Sequence, residues 1–334
     1  MELVRLGRSG PEVSRLSIGT MTFGTRLDEA QAHRLLDEAY AAGVNFFDTA
    51  EIYPAPAEAE TYGLAERILG RWLRRVPRER VVIASKLAGG KRPEGPHLPW
   101  LRGGTTAVDR AQVKAACEGS LQRLDTDYID IYQPHWPDRK VPIAAQREAL
   151  ARLVEEGKVR HVGLSNETPW GLTAFCAAAP LRARPVSAQN AYNLLQRRVE
   201  HGLAEACERE AVGFIAYSPL AMGVLSGKYG GGRRPAGGRL SSPNRYSDMY
   251  LQERLLAVAD AYAGVARAHA LDPVDMAYAW VREQPIVASV LSSFSAVEQL
   301  QPFLRSAATR LDAAIMSQLE SVRQTHDARW NMLG

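Results

Sequence analysis

The chain has 334 residues, 46% of them hydrophobic and 23% charged, with a formal net charge of +4. Those values describe an ordinary globular chain, and no apolar run approaches membrane-spanning length. Arginines alternate with acidic residues along the chain instead of gathering into a patch, so the positive charge implies no nucleic-acid partner.

The first element in chain order is a hairpin over residues 3–16, turning at Gly7-Arg8-Ser9-Gly10. After it, short runs rich in Val, Ile, Phe and Tyr predict strands at 15–19, 44–48, 81–86, 128–133, 159–164, 186–190, 213–217 and 286–291. Each is followed by a helical pattern, at 27–42, 61–76, 109–124, 143–156, 199–210, 252–268 and 272–284 among others. Thr168 before Pro169 and Asp272 before Pro273 read as helix caps. Eight strand–helix units point to an α/β fold, a (β/α)8 TIM barrel, as one domain over residues 1–334; such a barrel needs about 250 residues plus insertions. The hairpin would plug its bottom. An open doubly wound sheet is the alternative, but no GxGxxG follows any strand, and Gly223…Gly227-Lys228 is too short for a phosphate-binding Walker loop.

Two connections are unusually long: residues 87–108 after the third barrel strand, and 220–250 after the seventh. The second holds Gly230-Gly231-Gly232 with Arg233, Arg234, Arg239 and Arg245. In a barrel such loops form the active face. The three cysteines, Cys117, Cys176 and Cys207, lie far apart without C-x-x-C spacing, which argues against disulfides and a zinc site. No metal is expected, and without a leader-like stretch after Met1 the expected location is the cytoplasm.

Polar residues end nearly every predicted strand at the same end. Asp48 closes the second, with Tyr53 shortly after; Lys86 closes the third and His135 follows the fourth. Singly, these read as a cap, a packed aromatic, a surface cation and a structural histidine. Together they match the needs of carbonyl reduction. Hydride addition leaves an alkoxide that must gain a proton, and a tyrosine, with its ordinary pKa of about 10, is a poor acid unless a cation stabilises the phenolate. Lys86 is expected to do this, lowering the Tyr53 pKa, with Asp48 holding Lys86 and His135 polarising the carbonyl.

Phe46-Phe47-Asp48-Thr49-Ala50-Glu51-Ile52-Tyr53, Ala84-Ser85-Lys86 and Gln133-Pro134-His135-Trp136-Pro137 resemble the aldo-keto reductase tetrad in order and spacing. Gly19-Thr20-Met21-Thr22-Phe23-Gly24, Gly163-Leu164-Ser165-Asn166 and Tyr217-Ser218-Pro219-Leu220 are similar to further motifs of that family, closest to its bacterial Tas-like branch. The resemblance spans essentially the whole chain. It implies an oxidoreductase that takes NADPH, with NADH as an alternative, and reduces a small aldehyde or ketone, with Tyr53 as proton donor and Asp48, Lys86 and His135 supporting it.

The resemblance also places Gly19, Thr20 and Asp48 at the cofactor. Ser165, Asn166 and Gln189 would hold the nicotinamide carboxamide, and Tyr217 would stack on the ring. Ser218, Pro219, Leu220, Gly223, Leu225, Gly227 and Lys228 would line the pyrophosphate. Ser293, Ser295 and Gln299 would serve the adenosine end. There the family's usual Gly is Ser293 and its adenine-reaching Asn is Phe303, so the grip is expected to fall on the loop arginines. Met21, Phe23, Trp100 and Trp136, with Tyr53 and His135, would wall the substrate pocket. Two other readings are a cofactor-binding regulatory subunit of the same fold and a Schiff-base aldolase using Lys86.

Overall fold

β1 (Leu3–Arg5) and β2 (Glu12–Ser14) pair antiparallel as the predicted hairpin in a computed structural model that describes residues 1–90, 98–177, 183–241 and 245–326. Eight parallel strands follow: β3 (Leu16–Gly19), β4 (Phe46–Asp48), β5 (Val82–Leu87), β6 (Ile129–Pro134), β7 (Val159–Ser165), β8 (Ser187–Ala191), β9 (Gly213–Tyr217) and β10 (Val287–Ser292). They neighbour one another in chain order, and β10 pairs with β3 to close the sheet. This is the (β/α)8 barrel that the alternation implied.

The barrel strands alternate with α1 (Glu29–Ala41), α2 (Leu64–Leu73), α3 (Arg110–Leu124), α4 (Ile143–Glu155), α5 (Pro169–Ala177) and α6 (Leu203–Glu210). The stretch between β9 and β10 carries α7 (Arg245–Tyr250), α8 (Glu253–Ala268) and α9 (Pro273–Glu283); α10 (Leu300–Arg305) and α11 (Ala313–His326) follow β10. Thr168 and Asp272 cap as expected: Gly171 N–H donates to Thr168 Oγ1 at 3.0 Å and Val274 N–H to Asp272 Oδ1 at 2.7 Å. No helix among the described residues is long and apolar enough to cross a membrane.

Side chains two apart on a strand share a face. On the inner face the lower positions are apolar, and Phe46, Val82, Ala84, Ile131, Ile215 and Leu291 form one buried cluster. Two residues further along the same strands stand Asp48, Lys86, Gln133 and Tyr217. The interior therefore changes from apolar to polar over one step of the strands, towards their carboxyl ends. Gly163 makes room for this change, because a Cβ there would meet Ser187 Oγ at 2.6 Å and Gln133 Oε1 at 3.3 Å.

The hairpin closes the other end. Leu6 and Val13 are fully buried in the same inner cluster, and Arg8 N–H donates to Ala211 O at 2.9 Å. Truncating Leu6→Ala should therefore cost about 2–5 kcal/mol of stability, as for other buried leucines. Denaturant unfolding measures this; a loss below about 1 kcal/mol would mean that the hairpin rests on the barrel without sealing it.

Candidate active site

Strand register brings the four expected residues together. In the parallel pairing Asp48 lies opposite Ala84, so Lys86 stands one inner-face step beyond it and opposite Gln133. Lys86 Nζ donates to Asp48 Oδ1 and, at 2.9 Å, to Thr49 O. Asp48 Oδ2 accepts from Gln189 Nε2 at 2.8 Å and from Gln133 Nε2 at 3.4 Å. Both charged groups are essentially inaccessible to solvent. Burial pushes the Asp48 carboxyl up and the Lys86 ammonium down, and their contact with each other opposes both shifts.

Tyr53 sits on the turn after β4, where its N–H donates to Ala50 O at 3.0 Å. Lys86 Nζ lies 5.0 Å from the centroid of its ring, and the His135 ring meets it edge-on at 5.5 Å. His135 is held at the end of β6 by its N–H to Leu87 O at 2.9 Å, and its carbonyl accepts from Asn166 Nδ2 at 2.8 Å. One expectation is reversed. Burial, then the Asp48 carboxylate, then Tyr246 and Tyr217 push the Tyr53 phenol well above its ordinary value. Asp48 lies close enough to Tyr53 for its negative charge to oppose the lowering expected from the lysine.

The expected nicotinamide residues form one connected set. Asn166, at φ +56°, donates its N–H to Gln189 O at 2.9 Å and its Nδ2 to Ser165 Oγ at 3.2 Å. Tyr217 donates its hydroxyl to Asn166 Oδ1 at 2.6 Å. Gly19 ends β3 opposite Asp48, and Thr20 N–H donates to Asp48 O at 2.9 Å. Ser218 is also left-handed, at φ +57°, and its carbonyl accepts from Asn193 Nδ2 at 2.9 Å.

Beyond it, Ala221, Met222 and Gly223 continue with positive φ, a tightly coiled loop. Lys228 folds across Gly223, where a Cβ would lie 3.0 Å from its Nζ. Pro219 and Leu225 are buried, with Leu225 in the core, while Leu220 and Gly227 remain partly exposed.

Of the loop arginines, Arg239 reaches inward, donating to Ser293 O at 3.2 Å. Arg233 turns back to the carbonyls of Gly227 and Gly230, and Arg234 is exposed. The Arg245 side chain lies outside the described residues. Burial and the Arg239 charge hold Lys228 below its usual value; burial, opposed by Tyr278 and reinforced by Arg26, holds Arg239 down. Arg26, which sequence reasoning passed over, thus joins a cationic group across the barrel mouth. Gln133 was passed over too, although it occupies the last inward position of β6.

At the adenosine end, Gln299 is exposed and its Oε1 accepts from Ser295 N–H at 2.9 Å. Phe303 is core: fully buried on α10, its ring lies 4.8 Å from Tyr278 and 5.4 Å from Phe294. Around Tyr53, an apolar cluster of Ala50, Ile52, Ala88, Leu98, Leu101 and Trp136 carries Trp100 and Tyr62. Trp136 Nε1 donates to Gly90 O at 2.7 Å. Met21 is partly exposed at the mouth, and its carbonyl accepts from Ala55 N–H at 2.9 Å. Phe23, expected in the pocket wall, is instead fully buried in the main core. No group of His, Cys, Asp and Glu suited to a metal ion occurs among the described residues.

Residues 15–324 match the family model described as the Aldo/keto reductase family. The chain belongs to the aldo/keto reductase family. The Escherichia coli (strain K12) protein Tas is 39% identical over 98% of this chain and 99% of its own. The Bacillus subtilis (strain 168) oxidoreductase YrpG is 34% identical over 96% of each. A rice protein named as a probable voltage-gated potassium channel subunit beta is 32% identical over 98% of each. Membership makes this aldo-keto reductase an enzyme, an oxidoreductase of small carbonyl compounds that uses a nicotinamide cofactor.

Restoring the family's usual residue by Phe303→Asn should not help this aldo-keto reductase. It would empty an aromatic site and bury an amide, at a cost of about 3–5 kcal/mol. Thermal unfolding alongside a cofactor titration checks both: a stable variant with tighter cofactor binding would show that position 303 faces the ligand.

Proposed function

We propose that the chain reduces aldehydes or ketones with NADPH, and that Tyr53 supplies the proton. The observation that carries this reading is the buried Asp48–Lys86 pair beneath the Tyr53 ring, with His135 edge-on beside it. The residues at the mouth suit a nicotinamide dinucleotide. Thr20 Oγ1 and Asn190 Oδ1 are buried polar atoms without a hydrogen-bond partner in the structure, and both lie just past strand ends or at them. Burial works against the charged forms of Lys228 and Arg239, which an anionic phosphate beside them would relieve. When bound, the cofactor supplies the hydride.

The chain's own residues handle the proton. Because Tyr53 is held above its ordinary range, it is neutral near pH 7 and available as a donor. As negative charge develops on the substrate oxygen, the Tyr53 hydroxyl donates to it and His135 fixes its position. The phenolate left behind lies beside the Lys86 cation, which Asp48 keeps charged and Thr49 O keeps oriented. Ser165, Asn166 and Gln189 would hold the nicotinamide, with Tyr217 beside it. Gln189 also holds Asp48, so cofactor placement and proton delivery share one side chain. A Schiff-base role for Lys86 suits this geometry poorly, since its nitrogen is already engaged by Asp48 and Thr49.

Tyr53→Phe should lower kcat by roughly 10²–10⁴-fold, the range for loss of a general acid, while the NADPH dissociation constant stays within about twofold. Single-turnover hydride transfer and a fluorescence titration measure the two; near wild-type turnover would remove Tyr53 from the proton step.

The 2′-phosphate reading makes a separate prediction. Arg239→Ala should weaken NADPH by about tenfold, and NADH by much less, as expected for a charge-assisted contact. Added salt should weaken NADPH more than NADH in the wild type, since screening acts on the extra charge. Equal affinities for both cofactors, unmoved by the substitution, would place the phosphate contact elsewhere.

A further inference from the structure

Arg102 lies in the connection after β5, with its side chain nearly buried and its backbone left-handed at φ +47°. Its guanidinium serves three partners. It donates to Glu51 Oε2, to Ala88 O at 3.0 Å and to Gln112 Oε1 at 2.7 Å. Glu51 is buried, and its other oxygen accepts the Ala88 N–H at 2.5 Å. Glu51 N–H in turn donates to Lys86 O at 3.0 Å. Glu51, Arg102 and Ala88 thus close a ring.

Each member of this ring is two residues from a group at the site. Tyr53 follows Glu51, Lys86 precedes Ala88, and Trp100 precedes Arg102. Trp100 packs on the apolar cluster that also carries Tyr53, and its ring lies 5.4 Å from that of Tyr62. Arg123 Nη1 donates to the Tyr62 hydroxyl at 3.1 Å, which steadies the far side of this stack. Leu98 and Leu101, on the same arm, are buried in the cluster. The only charged group that anchors the arm to the Tyr53 segment, among the described residues, is the Arg102 guanidinium on Glu51. A left-handed arginine backbone is costly by itself and persists where its surroundings hold it.

We infer that Arg102 is a positioning residue that, docked on Glu51, fixes the Trp100 wall beside Tyr53 and so determines which carbonyl substrates fit. It touches neither substrate nor cofactor. The inference rests on the reading of Tyr53 as the centre of the carbonyl site. The wall it fixes is aromatic and aliphatic, so the substrates that gain most from it are bulky, apolar carbonyl compounds such as aromatic aldehydes.

The test uses Arg102→Lys, which keeps a cation for the buried Glu51 but lacks the planar fork that reaches Ala88 and Gln112 at once. Kinetics would be measured with benzaldehyde-sized aromatic aldehydes and with propanal, for Arg102→Lys, Trp100→Ala and the double variant. KM for the aromatic aldehyde should rise about tenfold and that for propanal less than about threefold, while the NADPH dissociation constant stays within about twofold. In the Trp100→Ala background, Arg102→Lys should add little, because the two substitutions act through the same wall.

A second readout needs no turnover. Acrylamide should quench Trp100 more readily in Arg102→Lys, taken as the difference between that variant with and without Trp100→Phe. This separates the two failures: if Tyr53→Phe still turned over, the Tyr53 reading would fall while quenching still decided whether Arg102 holds Trp100. Should Arg102→Lys not fold, Glu51→Gln, which keeps the shape of the ring and removes its negative charge, takes its place in every measurement. Additive effects of the two substitutions, an equal loss on both aldehydes, or unchanged Trp100 quenching would overturn the inference.

Discussion

A carboxylate and an ammonium removed from water each lose several kcal/mol of hydration, and a single salt bridge does not reliably return it. Asp48 and Lys86 sit in that situation, and the upper barrel is arranged around it. Lys86 has a second acceptor in Thr49 O, and the second oxygen of Asp48 has two amide donors, Gln133 and Gln189. Those five residues come from four separate strands and the turn after one of them. The register that aligns Asp48 with Ala84 and Lys86 with Gln133 is therefore the condition for burying the charges at all. A slip by one residue would turn each inner side chain outward and strand the pair.

The pair also explains why Tyr53 behaves against the simplest expectation. A lysine beside a tyrosine favours the phenolate, but here the lysine is already matched by a carboxylate close enough to oppose that effect. The net local charge near the hydroxyl is small, and burial then dominates. On the proposed reading, what the cation offers is stabilisation that becomes useful once Tyr53 has given up its proton, when phenolate and ammonium would face each other in a medium with few competing dipoles.

Much of this was legible in the sequence because period-two strands place like residues on like faces. Asp48 and Lys86 are each the final inward position of a run whose earlier inward positions are apolar, so the change of polarity marks the mouth before any coordinates. The hairpin was legible from its glycine turn between apolar residues. Phe303 was not. Its alignment with a family asparagine suggested a ligand-facing place, while its ring packs between Tyr278 and Phe294 because α10, a helix that no cap or strong periodicity announced, turns it inward. Phe23 misled for a related reason: a pocket motif names neighbours along the chain, and alternate residues of a turn face opposite ways. The Glu51–Arg102 contact joins residues 51 apart in sequence, and no local pattern reports such a pairing.

The two long connections show how differently an arginine can be used at one barrel mouth. Arg102 meets a carboxylate that would otherwise be buried alone, so the contact closes on itself and holds its loop without a ligand. Arg239 also bridges its loop to the barrel, through Ser293 O, but the charges around it include Arg26 and Lys228. Burial and a neighbouring cation disfavour its charged form, as they do that of Lys228, whereas an anion placed beside them would favour both. A loop of the first kind gains its order during folding. On the proposed reading, an anion bound at the second kind of loop would turn the repulsion among its cations into attraction to the ligand. On that reading, the substrate side of the mouth would be set by the fold, and the phosphate side by charges that a ligand completes.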